Sequence, residues 1–158
     1  MARVPSDSKL KSSVVFKNRF IALVAEQDCT IYEFAKNAGV SKSVVTRAAI
    51  YGIIPSVKLL IKIANALNTS LTYLLGMTES KLFEAAPAPS DFHARLNALR
   101  CEREVRISEI GAKMPFSTNL FYEWERVGTI PSLEYLIAIA KYFEVSIDYL
   151  LGRTDDRA

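Results

Sequence analysis

Apolar residues recur at spacings of three and four positions along most of the chain, which is the pattern of helices that bury one face. In the first half, this pattern predicts a helix over about 16–26 and another long helix that begins after Ser56. Ser70 and Gly76 are expected to begin and end a further short helix. The residues expected on the buried faces of the two long helices are Phe16, Phe20, Leu23, Val24, Leu60, Ile61, Ala64 and Leu67. The pattern therefore predicts an all-α protein.

The pattern returns 76 residues later, so that Pro55 corresponds to Pro131. Residues 16–78 align with 92–154 without a gap, and about a third of the pairs are identical, which indicates an internal repeat of domain size. We therefore predict two tandem domains of one fold. The second copy is expected to contain helices over about 92–103, 107–113, 117–126, 132–143 and 146–151.

Three segments lie outside the predicted helices. Residues 81–90 include an Ala-Pro alternation, which favours an extended linker between a domain of residues 1–80 and one of residues 91–158. In the linker, Leu82 and Phe83 are expected to dock onto one of the domains. Residues 1–13 are polar and basic, which fits either an arm that wraps DNA or a frayed terminus. The polar tail after Leu151 is expected to be frayed.

The most informative segment is residues 30–52, which the sequence predicts to form a short helix, a tight turn and a second short helix. Thr30 and Ser41 are expected to cap the two helices, because their hydroxyls can accept a hydrogen bond from free backbone N–H groups. Gly39 occupies the turn, where a left-handed backbone favours glycine. Val45 is expected to point from the second helix into the core. Such a segment is a candidate helix-turn-helix.

The second helix of this segment is expected to present a hydrogen-bonding and partly cationic face to solvent. A helix with such a face suits the major groove of DNA, where donors and acceptors of the bases are exposed. The residues expected to contact DNA in the first copy are Thr30, Ser41, Lys42, Ser43, Thr46 and Arg47.

These residues also carry a family resemblance. The segment TIYEFAKNAGVSKSVVTRAAIYG resembles the helix-turn-helix of Xre/Cro-type phage repressors. The segments IPSVKLLIKIANALNTSLTYLLGMT and IPSLEYLIAIAKYFEVSIDYLLGRTDD are similar to the fourth and fifth helices of that family. The resemblance implies two tandem five-helix lambda-repressor-like domains. It also implies a sequence-specific regulator of transcription that binds double-stranded DNA and acts as a repressor.

The second copy departs from this pattern at its turn. Pro115 stands where Gly39 stands, and proline cannot adopt a left-handed backbone. Either the turn shifts and strains Met114, or its geometry differs. Glu123 replaces Arg47 and opposes phosphate, although it could accept from a cytosine amino group. The second set of candidate DNA contacts comprises Ser117, Thr118, Asn119, Tyr122 and Glu123.

Charge separates the two halves. Residues 1–80 carry ten Lys and Arg against five Asp and Glu, a net charge of +5, whereas residues 81–158 carry ten against twelve, a net charge of −2. Attraction to DNA phosphates is therefore expected mainly in the first half. No apolar run reaches the roughly 18 residues of a membrane span, and no apolar signal core stands at the N-terminus, so a cytoplasmic location is expected.

Nothing in the sequence predicts an enzyme, a metal site or a cofactor. Cys29 and Cys101 lack neighbouring cysteine or histidine at metal-ligand spacing. His93 is the single histidine and has no identifiable partner for acid–base catalysis. Phosphate-binding loops, zinc-protease motifs and nucleophile elbows are lacking in the sequence.

Two functions remain open at this point. One is DNA binding by the first copy; the other is a protein-interaction module, in which the diverged second copy binds a partner protein or mediates oligomerisation. A homodimer formed by residues 91–158 is expected, because the second copy carries a surplus of apolar and aromatic residues. These are Phe116, Phe121, Tyr122 and Trp124.

Overall fold

The computed structural model describes residues 11–88 and 90–158. These residues form ten helices, and their β structure is limited to an isolated bridge between Ser12 and Ile53. The all-α prediction is therefore confirmed. The chain divides into two compact units: the first unit ends at Phe83, and the second unit comprises Glu84–Ala158. None of the helices in the described ranges is long and apolar enough to cross a membrane.

The first unit consists of five helices: α1 (Val14–Glu26), α2 (Ile31–Ala38), α3 (Lys42–Tyr51), α4 (Val57–Leu67) and α5 (Leu71–Leu74). Both α1 and α2 pack against α3, and α4 packs against α2 and α5. The side chains that are fully buried between these helices include Phe16, Phe20, Phe34, Val45, Leu60, Ile63, Leu71 and Leu74.

The buried face of α4 differs by one position from the prediction. Ile61 was expected in the core but is only half-buried, whereas Ile63 is fully buried. The buried stripe runs through Leu60, Ile63, Ala64 and Leu67, which follow the i, i+3, i+4, i+7 spacing of an α-helix. Ile61 lies at the edge of that stripe.

Residues 11–13 lie beside the loop after α3. The backbone N–H of Ile54 donates to the carbonyl of Lys11 over 2.8 Å, and that of Ser13 donates to the carbonyl of Gly52 over 2.9 Å. The rest of the predicted N-terminal arm, residues 1–10, lies outside the described residues.

The second unit also has five helices: α6 (Phe92–Arg103), α7 (Ile107–Gly111), α8 (Asn119–Val127), α9 (Leu133–Phe143) and α10 (Ile147–Leu150). Its core is formed mainly by large apolar side chains. The most completely buried are Phe92, Leu99, Ile110, Leu136, Ile139, Phe143, Ile147 and Leu150.

The connection between α7 and α8 differs from its counterpart in the first unit. The helix α7 ends at Gly111 rather than near Lys113, and α8 begins at Asn119 rather than at Ser117. Met114 is not in the left-handed region. Of the two alternatives for Pro115, a changed turn geometry is therefore correct. Proline lacks a backbone N–H and holds φ near −65°, so it cannot close a helix in the way that Gly39 does.

An arginine in α1 ties the two ends of the first unit together. The Nη1 of Arg19 donates to the carbonyls of Tyr73 and Thr78, over 2.6 and 2.7 Å. Its Nη2 contacts Glu79 at 2.9 Å, and its guanidinium lies 4.2 Å from the ring centre of Tyr73. The arginine thereby binds carbonyls at and beyond the end of α5 that have no partner inside a helix.

The second unit repeats this arrangement 76 residues later. The Nη1 of Arg95 donates to the carbonyls of Tyr149 and Thr154, over 3.1 and 3.0 Å. Its Nη2 contacts Asp155 at 2.8 Å, and its guanidinium lies 4.2 Å from the ring centre of Tyr149. The correspondence of Arg19 and Arg95 in the sequence thus extends to every partner that these two side chains bind.

The C-terminal tail is packed against the second unit, so the prediction of a frayed tail is wrong. Arg153 and Thr154 are buried. Arg157 places two guanidinium nitrogens 2.7 Å from the two carboxylate oxygens of Glu102, and its carbonyl accepts from the N–H of Ser146 over 2.8 Å. Contacts between residues 55 positions apart have no signal in a local sequence pattern.

Arg153 forms a buried ion pair with Asp148, which has no equivalent in the first unit because Thr72 and Met77 stand at the corresponding positions. Burial holds the pKa of Arg153 below its ordinary value, although the charge and hydrogen bond of Asp148 act in the opposite direction. Removing either partner would leave a buried charge without its counter-charge.

The segment before α6 packs on this tail. The N–H of Ala86 donates to the carbonyl of Arg153 over 3.0 Å, and the hydroxyl of Thr154 donates to the carbonyl of Glu84 over 2.7 Å. Leu82, by contrast, is 90% exposed, so its predicted docking onto a domain is wrong.

Candidate nucleic-acid interface

The turn between α2 and α3 has the geometry expected from its residues. Gly39 ends α2 with φ of 75°, and a side chain at this position would be strained although the space around it is open. Ala35 and Val45 are buried where the two helices meet. The Oγ of Ser41 accepts from the N–H of Val44 over 3.3 Å and so caps α3. The turn therefore fixes the direction in which α3 leaves the core.

The capping hydroxyl of Thr30 is part of a reciprocal pair. Its Oγ1 accepts from the N–H of Glu33 over 3.1 Å, while a carboxylate oxygen of Glu33 accepts from the N–H of Thr30 over 2.8 Å. The hydrogen bond from the backbone N–H of Thr30 to the carboxylate lowers the pKa of Glu33, and the hydroxyl of Thr30 acts in the same direction. The predicted capping role of Thr30 is confirmed.

The side chains of α3 that were predicted to face DNA are mostly exposed. Lys42, Ser43 and Arg47 are exposed, whereas Thr46 is half-buried. Neither Lys42 nor Arg47 takes part in an ion pair within the described ranges of the chain. The two positive charges on this helix are therefore available to a partner.

Tyr32 belongs to the same surface and was missed in the sequence. It is 57% exposed, and the Nζ of Lys42 lies 5.5 Å from the centre of its ring. Its exposure could have been predicted from helix periodicity, because Tyr32 falls outside the buried stripe that passes through Phe34 and Ala35. A tyrosine hydroxyl at this place can donate to a phosphate.

The corresponding surface of the second unit is built differently. Thr118 is half-buried, and its Oγ1 lies 2.1 Å from where a Cβ on Gly111 would stand. Thr118 therefore packs towards α7, and its predicted outward position is wrong. Ser117 and Asn119 are exposed, and the N–H of Asn119 donates to the Oγ of Ser117 over 3.2 Å. The shifted start of α8 explains the difference.

Further along α8, Tyr122 and Glu123 are exposed, as predicted. Tyr122 is 55% exposed. The exposed face of α8 therefore presents an aromatic side chain and an anion, where α3 presents a half-buried threonine and a cation.

The other aromatic residues of the second copy are not a surface surplus. Phe116 lies 5.5 Å from Phe121, 5.4 Å from Trp124 and 4.4 Å from Tyr135 between ring centres. Phe121 and Trp124 are buried. These rings fill the space beside the altered turn, so the argument for a dimer interface made from them is wrong.

The comparisons with known proteins agree with the geometry of the first unit. Residues 21–74 match the family described as helix-turn-helix, and this part of the chain is a helix-turn-helix domain. A 62-residue stretch, 39% of this chain, is 31% identical to an uncharacterized HTH-type transcriptional regulator, YobD, of Bacillus subtilis (strain 168). The match spans 55% of that relative. No solved structure matches the chain.

The resemblance that the sequence suggested is thereby confirmed for the first copy. The match to the family ends at residue 74, before the second unit begins. The prediction that the second unit is a further copy of the same family stays a prediction. Its structural support is the matching order of five helices and the matching contacts of Arg19 and Arg95.

Proposed function

We propose that this protein is a sequence-specific regulator of transcription that binds double-stranded DNA and acts as a repressor. The observation that carries the proposal is the exposed face of α3, where Lys42, Ser43 and Arg47 follow the left-handed turn at Gly39 inside a helix-turn-helix domain. A short helix with exposed hydrogen-bonding groups and positive charge fits the major groove, where side chains reach the edges of bases.

The remaining candidates of the first unit are assigned to the DNA backbone. Thr30 and Ser41 lie at the N-termini of α2 and α3, and both are exposed. Hydroxyls and free N–H groups at helix N-termini are common partners of phosphate oxygens, and such contacts set register without reading sequence. Thr46 is half-buried and therefore has less reach than Arg47.

We further propose that the two units have different tasks, with the second unit contributing scaffold or association. Its half of the chain carries a net charge of −2, against +5 for residues 1–80. Glu123 occupies the place of Arg47, and Thr118 packs towards α7. The second function class, a protein-interaction module, is kept for this unit because Tyr122 and Glu123 are exposed on α8. Asn119, which could pair with adenine, is the residue that argues against this division.

A homodimer is part of the proposal. Paired helix-turn-helix units read half-sites about 34 Å apart, or a multiple of that distance, along one face of DNA. The buried aromatic residues around Phe116 cannot form the dimer interface, so any dimer must use another surface.

In-vitro selection of DNA from a random pool tests the proposal as a whole. We expect the full chain to recover a defined motif, and two copies of that motif if a dimer binds. The affinity of the chain for this motif should exceed its affinity for random DNA by about a thousandfold or more at the same salt concentration. Recovery of no motif, with binding to random DNA alone, would contradict a sequence-specific regulator.

A further inference from the structure

The second unit contains a cavity of about 330 Å³ between α6, α7 and α8. Its apolar lining comes from Leu96, Ile107 and Phe121, and two arginines, Arg100 and Arg106, also line it. The volume lies at the lower end of the roughly 300–1,000 Å³ that is usual for small-molecule sites. The remaining lining residues are polar or charged: His93, Asn97, Ser108, Tyr122 and Glu125.

Two residues that line the cavity differ from their counterparts in the first unit. Where the second unit has Leu96, the first has Phe20, which is fully buried and whose ring centre lies 5.9 Å from that of Phe16 and 5.6 Å from that of Phe34. Where the second unit has Arg100, the first has Val24, which is 2% exposed. The second unit has therefore exchanged a core ring for a smaller side chain and a core valine for a cation.

The guanidinium of Arg100 has a hydrogen-bonding capacity that the protein does not use. Its Nη1 donates to the Oδ1 of Asn97 over 3.2 Å. Its Nε is buried and has no acceptor among the described residues. A buried donor without an acceptor is destabilising, and a carboxylate is the group that best fits an arginine, through two parallel hydrogen bonds.

The other charged groups around the cavity leave Arg100 as the main cation for a ligand. Arg106 is largely exposed and is bound to Glu109, with 3.3 Å between Nε and Oε1. Glu125 also lines the cavity and would repel a ligand of high negative charge. The Nε2 of His93 carries a proton, because it lies 2.9 Å from the carbonyl of Thr129, which can only accept. With Arg106 bound to Glu109 and Glu125 nearby, the single positive charge of Arg100 favours an anion of a single charge.

We propose that this cavity binds a small amphipathic monocarboxylate. The carboxylate pairs with Arg100, and the apolar part of the ligand contacts Leu96, Ile107 and Phe121. Tyr122 also lines the cavity and is an exposed residue of α8. A bound ligand would therefore contact α8 through Phe121 and Tyr122.

The first experiment is titration calorimetry on the full chain with benzoate as the probe. Benzyl alcohol tests the need for the charge, and inorganic phosphate tests the need for the apolar part. We expect saturable binding of one benzoate per chain, and binding of both comparison compounds weaker by about tenfold or more. No saturation up to about 10 mM benzoate, or equal binding of benzyl alcohol or phosphate, would overturn the proposal.

Two variants then test the location of the site. Leu96→Phe restores the residue of the first unit and fills the cavity, and Arg100→Gln removes the charge. Each should weaken benzoate binding by about tenfold or more, while Lys141→Gln, which changes an exposed charge on α9 away from the cavity, should leave it unchanged. Thermal unfolding checks that each variant is folded. Unchanged binding in both folded cavity variants would contradict this site.

Discussion

At the scale of single residues, the turn at Gly39 determines how the proposed DNA-binding helix is presented. Its φ of 75° is in the left-handed region, and no heavy atom lies within 4 Å of a Cβ added there. The requirement for glycine is therefore one of backbone conformation and not of space. The second unit, with Pro115 at this place, uses a longer connection between its two helices.

This explanation predicts how Gly39 responds to substitution. Gly39→Ala should lower the free energy of unfolding by about 1–2 kcal/mol, because a Cβ is unfavourable in left-handed backbone. Gly39→Asn should cost clearly less, since asparagine adopts that conformation more readily. Urea unfolding of the two variants measures the difference. An equal loss in both would mean that space, and not backbone conformation, sets the requirement.

The repeated arginine supplies a second prediction at this scale. Arg95→Ala removes the buried donor of the Thr154 carbonyl and one of two donors of the Tyr149 carbonyl, which keeps the N–H of Gly152, so it should cost about 1–3 kcal/mol. Trp124, the single tryptophan of the chain, reports unfolding of the second unit by its fluorescence. Lys141→Ala, an exposed change in the same unit, should stay within about 0.5 kcal/mol. If both variants unfold at the same denaturant concentration, Arg95 does not hold this unit together.

At the level of single helices, the sequence predicts well the features that depend on residues close together in the chain, such as caps and buried faces. The caps of α2, α3 and α5 were readable because Thr30, Ser41 and Ser70 bind N–H groups only three residues away. Helix periodicity likewise identified most buried faces. What the sequence did not show depends on distant partners, such as the contact of Arg157 with Glu102.

The packing of the C-terminal segment should depend on pH. The hydrogen bond from Arg157 lowers the pKa of Glu102, so this contact stabilises the folded chain above the ordinary glutamate pKa of about 4.3. It is lost as the pH falls through the lower pKa of the folded state. The amide NMR signal of Ser146, which binds the carbonyl of Arg157, should therefore shift on acidification below about pH 4.

Glu102→Gln is the matched control for this effect. Without the carboxylate, the Ser146 signal at neutral pH should resemble that of the acidified wild-type protein. If the variant and the wild type show the same signal across the whole pH range, Glu102 does not anchor the C-terminal segment.

At the scale of the whole molecule, the central feature is the asymmetry between the two units. The first matches the helix-turn-helix family and belongs to the basic half of the chain. The second repeats the order of its helices but has an altered turn, an anion on α8 and a cavity between α6, α7 and α8. The second unit keeps the order of five helices but lacks the basic face of the first. This fits the proposal that only the first unit reads DNA.

Separate expression of residues 1–83 and 84–158, which follow the bounds of the two compact units, tests this division. We expect the first fragment to bind the selected DNA site specifically, although more weakly than the full chain if avidity is lost. The second fragment should bind it no better than random DNA. Specific binding of comparable strength by the second fragment would contradict the division.

The proposed reading of DNA sequence by α3 depends most directly on Arg47. The decisive measurement is the dissociation constant of the full chain for the selected site and for random DNA, at one salt concentration. Lys62→Ala, an exposed change on α4, serves as the control. Arg47→Ala should cost about 1–3 kcal/mol on the selected site and much less on random DNA. Equal losses on both DNAs, or no loss relative to Lys62→Ala, would contradict the proposal that α3 reads the sequence through Arg47.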